Sequence, residues 1–412
     1  MAIEKSPSLK KPAEQTSTDT DPNKKKKPEE EPPKPITCKA AVAWEPNKPL
    51  SIETIAVAVP IGREVRIKIL YSSVCHTDVY TWSGLDPEGR FPCILGHEGA
   101  GIVESVGSEV RMLAPGDHVI PCYIPQCRSC PYCLHPRTNL CTAIRKTQGL
   151  GVMPDGTTRF SKDGKPIYHF MGTSTFSEYT VVPDIAVVKV DHTTRLDRAC
   201  LMACGLSTGF GAVMNIADLQ PRETVAIFGL GTVGLAVAVA AQVRGAGRII
   251  GVDINEKRLE MAPQFGITDC VNPNELDRPI QEALVEMTQG GLDFTFECVG
   301  NVDTMRQALE SARRGWGTSI VIGVAPSGKE VSTRPFNLIT GRTWKGCAFG
   351  GWKPLDQLSR LVAEVSRGGL KVDQFITHRR ENLESINEVI ELMETGECLR
   401  CVIEYIGRPS ES

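Results

Sequence analysis

Six residues, Gly229-Leu230-Gly231-Thr232-Val233-Gly234, constrain this chain more than any other stretch. The apolar run Thr224–Phe228 leads into them, and Leu235–Val243, of helical composition, leads away. A second apolar run, Arg248–Val252, ends on Asp253, 19 residues after Gly234. Strand, G-x-G-x-x-G, helix, strand and acid, in that order, bind a dinucleotide at the end of a parallel sheet. Gly229, Gly231 and Gly234 let the backbone approach a pyrophosphate, and the helix N-terminus adds N–H donors and a positive dipole end. Asp253 can accept from both hydroxyls of an adenosine ribose and repels a 2′-phosphate, so NAD is expected over NADP. Arg258, placed with the same cofactor-binding group, weakens that preference only slightly.

Further apolar runs at Phe294–Cys298 and Ser319–Ile322, with helical segments around 278–288 and 303–313 between them, extend the sheet. The fold class is therefore α/β, with a doubly wound Rossmann domain over 206–348. Residues 36–205 have a different texture. Short alternating runs at 38–45, 54–59, 64–72, Ile102–Val106 and His118–Tyr123 predict a mostly-β catalytic domain with ligands on its loops. Residues 349–412, with an amphipathic stretch Leu383–Thr395 and a strand Cys401–Tyr405, are expected to return to that first domain, because such a parallel unit ends after six strands.

Residues 1–35 hold eight Lys, seven acids, seven Pro and no aromatic residue, so they cannot bury enough apolar surface to offset their ordering entropy. A disordered tail is expected there. Lys24–Lys27 has the form of a nuclear-import patch, but the neighbouring glutamates neutralise it and favour a solvated tail. At 412 residues the chain exceeds a single core. A net charge of −3 provides no field to recruit nucleic acid or a membrane. No apolar run approaches the ~20 residues of a membrane span, and the N-terminus has no apolar signal core, so a cytoplasmic location with possible nuclear access is expected. Fifteen cysteines in such a chain read as metal ligands and free thiols in a reducing compartment.

Four of them, Cys127, Cys130, Cys133 and Cys141, follow C-x2-C-x2-C-x7-C, the spacing of a closed tetrahedral zinc site that ties down a loop. Cys75, His97 and Cys204 each sit beside glycine or polar residues and not inside an apolar run. Two thiolates and an imidazole suit a zinc ion with an open fourth position, which acts on a bound oxygen. Asp78 is either a partner orienting His97 or a helix N-terminal acid, and Glu98 is either an outer partner or an alternative ligand. Cys93, Cys122, Cys200, Cys270, Cys298 and Cys347 are expected as buried core thiols.

GHEGAGIVESVGSEV (96–110), the four-cysteine lobe, VAIFGLGTVGLAV (225–237) and RIIGVDIN (248–255) together resemble the zinc-containing alcohol dehydrogenases, from about Cys38 to Tyr405. CHTDVYTWSG, DPEG, TQGLGVMPDG, HFMGTSTFSEYTVV and TRPFNLITGRTWKG are similar to class III of that family, and EPNKPL and CLRCV to its plant forms. The resemblance implies a GroES-like catalytic domain, two Zn2+ per subunit, NAD and a homodimer. Cys75, His97 and Cys204 would hold the catalytic zinc, and Cys127, Cys130, Cys133 and Cys141 the structural one. Thr77 would relay the alcohol proton, His76 and Arg400 would contact the pyrophosphate, and Thr208 would lie near the nicotinamide. Asp86, Glu88 and Arg145 match class III substrate recognition, and Tyr123 and Phe170 would line a wide pocket. Tyr80 stands where many relatives carry a relay histidine, and Pro263 falls inside an expected helix. The implied activity is oxidation of S-hydroxymethylglutathione with NAD and reduction of S-nitrosoglutathione with NADH. The alternative is an ordinary dehydrogenase of primary alcohols such as ethanol. A zinc-ribbon nucleic-acid module is disfavoured, because Tyr132 is the lobe's only aromatic residue.

Overall fold

The computed structural model describes residues 33–405. The lysine run 24–27 and almost all of the tail lie outside the described residues. Alternating apolar residues turn Ile36–Ala43, Ser51–Val57 and Glu64–Ser73 into strands. The first two join Phe160–Lys162, Lys165–His169 and the two-residue strand Cys93–Ile94 in a small closed barrel. Glu64–Ser73 is central to a seven-stranded sheet. Glu98–Val106 and Tyr179–Pro183 pair antiparallel with it, and so does Arg400–Glu404 from the far end of the chain. Ile376–Glu381 lies at the edge beyond Arg400–Glu404.

The second layer is a six-stranded parallel sheet in the order Asp269–Val271, Arg248–Val252, Thr224–Phe228, Phe294–Glu297, Thr318–Val321, Thr343–Gly346. Successive connections run one way from Thr224–Phe228 and then the other, so a crevice opens at the carboxyl ends where the direction reverses. The helix Thr232–Val243 is apolar on all sides and is correspondingly buried. It packs on the short helix Gly205–Gly211, closely enough that a Cβ at Gly209 would lie 2.5 Å from Ala236 Cβ. The helix Glu256–Met261 passes into a 3-10 turn, Ala262–Phe265, where Pro263 supplies no N–H to continue it.

Among the described residues no single helix is long and apolar enough to cross a membrane. The apolar pair Leu196–Ala203 and Gly205–Ala217 is bent by 62° at Cys204 and lies in the core. Of the six cysteines expected in the core, Cys93, Cys122 and Cys200 are buried, Cys298 and Cys347 are half-buried, and Cys270 is exposed. Cys270 sits on Asp269–Val271, the outermost strand of the parallel sheet, which has a strand neighbour on one side only, and its Sγ reaches Leu259 O at 3.4 Å.

Candidate active site

The loop after Glu64–Ser73, the start of Glu98–Val106 and the helix bend at Cys204 meet at one point. There Cys75, His97, Glu98 and Cys204 each bring a ligand atom within 4.8 Å of the others. His97 is fully buried. Its Nδ1 lies 2.9 Å from Asp78 Oδ1, while its Nε2 has no hydrogen-bond partner. A buried imidazole nitrogen that faces two thiols and has no donor or acceptor partner is what a bound cation would satisfy. Cys75, His97 and Cys204 therefore fit zinc, while both Glu98 oxygens are taken by Arg400.

Asp78 makes contacts that correspond to both alternatives, the helix start and His97. Its Oδ2 accepts from Cys75 N–H (2.9 Å) in a capping box that starts the helix His76–Trp82. Its Oδ1 accepts from Gly96 N–H (3.0 Å) as well as meeting His97. One buried carboxylate thus fixes both the thiol loop and the imidazole. Cys75 is pulled well below the usual thiol range by its hydrogen-bonded neighbour Cys204, with Arg400 and His97 adding to the effect. The same contact raises Cys204.

Glu98 is bound on both oxygens by Arg400 in a buried fork (Nε–Oε2 2.9 Å, Nη2–Oε1 2.9 Å) and also accepts from Gly205 N–H. Burial pushes its carboxyl up to about 7 against the pull of Arg400. The remaining Arg400 donors reach Cys75 Sγ, Thr232 Oγ1 and Leu399 O, so every N–H of this guanidinium has a protein partner. Thr232 opens the helix that follows the glycine loop, which places Arg400 at that helix's N-terminus.

At the glycine loop, Gly229 has φ +89°, and a Cβ at Gly234 would fall 1.9 Å from Gly229 O. A Cβ at Gly231 would instead meet no protein atom, leaving open the approach that a pyrophosphate needs. Asp253 is held by Leu230 N–H (2.7 Å) and Asn255 N–H (2.8 Å). Arg258 donates Nη2 to Gly396 O and Cys398 O, both at 2.8 Å. The crevice therefore fits a dinucleotide. Of the other expected residues, Thr208 is buried in Gly205–Gly211, Thr77 is half-buried with Oγ1 3.9 Å from Cys75 Sγ, and His76 is exposed. The Tyr80 hydroxyl accepts from Ser327 N–H at 3.3 Å, across from the coenzyme sheet.

A cavity of about 470 Å³ adjoins the cluster. Tyr123 and Phe170 form its inner wall. Both rings meet His97 edge-on, and the Tyr123 hydroxyl lies 3.9 Å from Cys204 Sγ. Its charged lining is Asp86, Glu88, Arg145 and Arg90. The first three were expected from the class III resemblance. Arg90 was not, because nothing next to it in sequence distinguishes it from a solvated arginine. Arg145 Nη2 donates to Glu88 Oε1 at 2.6 Å. His169 on the same wall is a neutral core histidine. Burial lowers its pKa to about 3, and its Nε2 accepts from Arg159 N–H.

Cys127, Cys130, Cys133 and Cys141 form the second cluster. Cys127 Sγ accepts from Cys130 N–H (3.2 Å) and Cys141 Sγ from Cys127 N–H (3.4 Å), contacts that suit thiolates. The lobe is fastened to the stretch from Ala348 to Asp356. Lys353 Nζ donates to Cys133 O and His135 O, Asn139 Nδ2 to Ala348 O, and Arg128 Nε to Asp356 Oδ1.

Two family models match the chain: the alcohol dehydrogenase GroES-like domain over residues 62–192 and zinc-binding dehydrogenase over 232–364. The alcohol dehydrogenases class-3 of Oryza sativa subsp. japonica and Zea mays are each 58% identical over 369 residues, covering 89% of this chain and 97% of theirs. The chain belongs to the zinc-containing alcohol dehydrogenases, class III. Among solved structures, an alcohol dehydrogenase zinc-binding domain protein from Burkholderia ambifaria aligns with a TM-score of 0.84 at 31% identity. Benzyl alcohol dehydrogenase from Acinetobacter calcoaceticus aligns at 0.83 and 28%. Both alignments cover 90% of this chain and all of the other. As a class III alcohol dehydrogenase the protein is an NAD- and zinc-dependent oxidoreductase with two zinc ions per subunit, in keeping with its two ligand clusters.

In this dehydrogenase, Cys130→Ser is expected to release one zinc and lower stability, because a structural zinc contributes directly to folding. Metal analysis and thermal unfolding check this. An unchanged midpoint in a protein that has lost that zinc would remove the lobe's structural role.

Proposed function

We propose that this enzyme oxidises S-hydroxymethylglutathione with NAD and reduces S-nitrosoglutathione with NADH. The observation that carries this reading is the charged mouth of the cavity. Asp86, Glu88 and Arg145 gather at one end, with Tyr123 beside the catalytic cluster at the other. A volume of about 470 Å³ suits a tripeptide adduct, whereas ethanol needs neither that room nor those charges. Cys75, His97 and Cys204 would hold the catalytic zinc, and the glycine loop with Asp253 would hold NAD. When bound, zinc supplies Lewis acidity towards a substrate oxygen and NAD supplies the hydride acceptor.

The chain's own residues do the rest. Asp78 keeps His97 in one tautomer by holding its Nδ1 proton. Thr77 Oγ1 would accept the departing alcohol proton while passing its own hydroxyl proton on towards the nicotinamide ribose, so that no charge is left on the threonine. Tyr123 and Phe170 exclude water from the inner wall. His76, exposed at the head of its helix, and Arg400 face the pyrophosphate end. For Arg400 a phosphate contact means exchanging its bond to Thr232 or Leu399.

A homodimer is part of the same proposal. Thr343–Gly346 is the last strand of the parallel sheet, pairs on one side only and is mostly exposed, and Trp316, Phe336 and Ile339 are exposed as well. Such an edge with an apolar surround is suited to a second copy.

The direct test compares NADH oxidation with S-nitrosoglutathione and with ethanal. A clear preference for ethanal would overturn the glutathione reading. Arg145→Ala provides a residue-level check. Loss of a charge-assisted pair costs up to ~3 kcal/mol when shielded, and half-exposure with Glu88 already bound lowers that. A fall of about tenfold in kcat/KM for S-hydroxymethylglutathione is expected, with octanol changed by no more than a few-fold. Equal losses on both substrates would assign Arg145 a structural role.

A further inference from the structure

We propose that Arg90 is a second carboxylate-binding residue of the substrate cavity, taking a carboxylate of the glutathione adduct that Arg145 does not take. The inference rests on the glutathione reading above and extends it to a residue outside the expected set.

The charged groups of the cavity wall are committed unequally. Asp86 is used up in its own turn. Its Oδ2 accepts from Thr81 Oγ1 (2.7 Å), its Oδ1 from Glu88 N–H (2.9 Å), and its carbonyl from Gly89 N–H (3.0 Å). Glu88 is bound to Arg145. Arg90 also lines the cavity and is exposed, yet among the described residues no carboxylate pairs with it. It therefore carries a guanidinium fork whose donors are satisfied only by solvent, projecting from a turn that Asp86 fixes. Planar carboxylate groups are the ligands such a fork binds best.

The charge balance of the wall supports the same reading. Among its carboxylates and guanidiniums, the lining without Arg90 carries one net negative charge. A glutathione adduct at neutral pH has two carboxylates and one ammonium group, and so is itself a net anion. A wall made only of Asp86, Glu88 and Arg145 would repel it. Arg90 removes that repulsion and gives the wall two guanidiniums for two carboxylates, with Glu88, beside Arg145, nearby for the ammonium.

The test measures kcat and KM of the parent, Arg90→Ala, Arg145→Ala and the double variant on S-hydroxymethylglutathione, on its diethyl ester and on octanol. An exposed charge-assisted pair predicts a rise of about three- to tenfold in KM for the free adduct in Arg90→Ala, with kcat held. The adduct-to-octanol ratio of kcat/KM should fall by the same factor, and the double variant should show the product of the two single effects. Blocking both carboxylates as ethyl esters should abolish the dependence on Arg90, and Arg90→Lys should restore part of the KM. If Arg145→Ala raises KM and Arg90→Ala does not, the Arg90 assignment is wrong and the glutathione reading stands. Equal losses on adduct and octanol, or an Arg90 effect that persists on the diester, also overturn it. A parent enzyme that does not turn over the adduct removes the glutathione reading, and this proposal with it.

Discussion

Cys204→Ser is expected to give a folded protein that binds NADH, contains one zinc per chain instead of two, and turns over at least about a thousandfold more slowly. The factor follows from the several kcal/mol that a Lewis-acid metal contributes to such a reaction. Serine offers zinc a neutral, weakly acidic oxygen in place of a thiolate, and Cys75 and His97 alone make a poor site. Folding should survive because Cys204 sits at the bend between Leu196–Ala203 and Gly205–Gly211, where its backbone (φ −149°, ψ −86°) does not depend on the sulfur atom. Coenzyme binding should survive because the glycine loop and Asp253 are held by their own contacts, among them Leu230 N–H to Asp253. The four-cysteine lobe shares no ligand with this centre, so its zinc should remain. Metal analysis, NADH fluorescence titration and steady-state turnover decide the matter. A Cys204→Ser protein that keeps two zincs and parental turnover would place the chemistry elsewhere.

Some of this site is written in short stretches of sequence and some is not. The glycine loop with its flanking strands, the four cysteines of the lobe, and Asp78 next to Cys75 are local patterns whose spacing already implies geometry. The strands Thr224–Phe228 and Arg248–Val252 fall where their apolar runs place them. The partnership of Glu98 with Arg400 spans 302 residues, and no local pattern of charge announces it. The same holds for Arg145 with Glu88, and for Lys353 reaching back to the lobe. Ile376–Glu381, with sequence ITHRRE, has no apolar alternation to mark it, yet it is an edge strand whose arginines pair with Asp197 and Glu388. Cys93–Ile94 is too short to carry any period, although it closes the barrel. Cys270 illustrates the converse error. Cysteine is usually buried, but burial is decided by the position of its strand in the sheet, which composition does not encode.

The Glu98–Arg400 pair should have the largest effect on stability of any single pair around the site. Glu98 is fully buried and Arg400 almost so, and the two are joined by two parallel hydrogen bonds. Breaking a buried pair from one side leaves an uncompensated charge and costs about 3–5 kcal/mol, whereas replacing both partners with apolar residues of similar volume is often close to neutral. Arg400→Met should therefore lose about 3–5 kcal/mol in urea unfolding, and Glu98→Leu/Arg400→Met should recover most of that loss. A single variant losing under about 1 kcal/mol would mean that water or a rearranged side chain compensates Glu98. Catalysis should not follow stability. Arg400 also donates to Cys75 Sγ (3.5 Å) and to Thr232 at the start of the coenzyme helix, and a methionine supplies neither bond. The double variant should thus unfold nearly like the parent while remaining impaired in NADH affinity and turnover. That separation would show that the pair is retained for the guanidinium it positions between the thiolate and the coenzyme helix. Recovery of stability and activity together would instead make Arg400 a purely structural counter-ion.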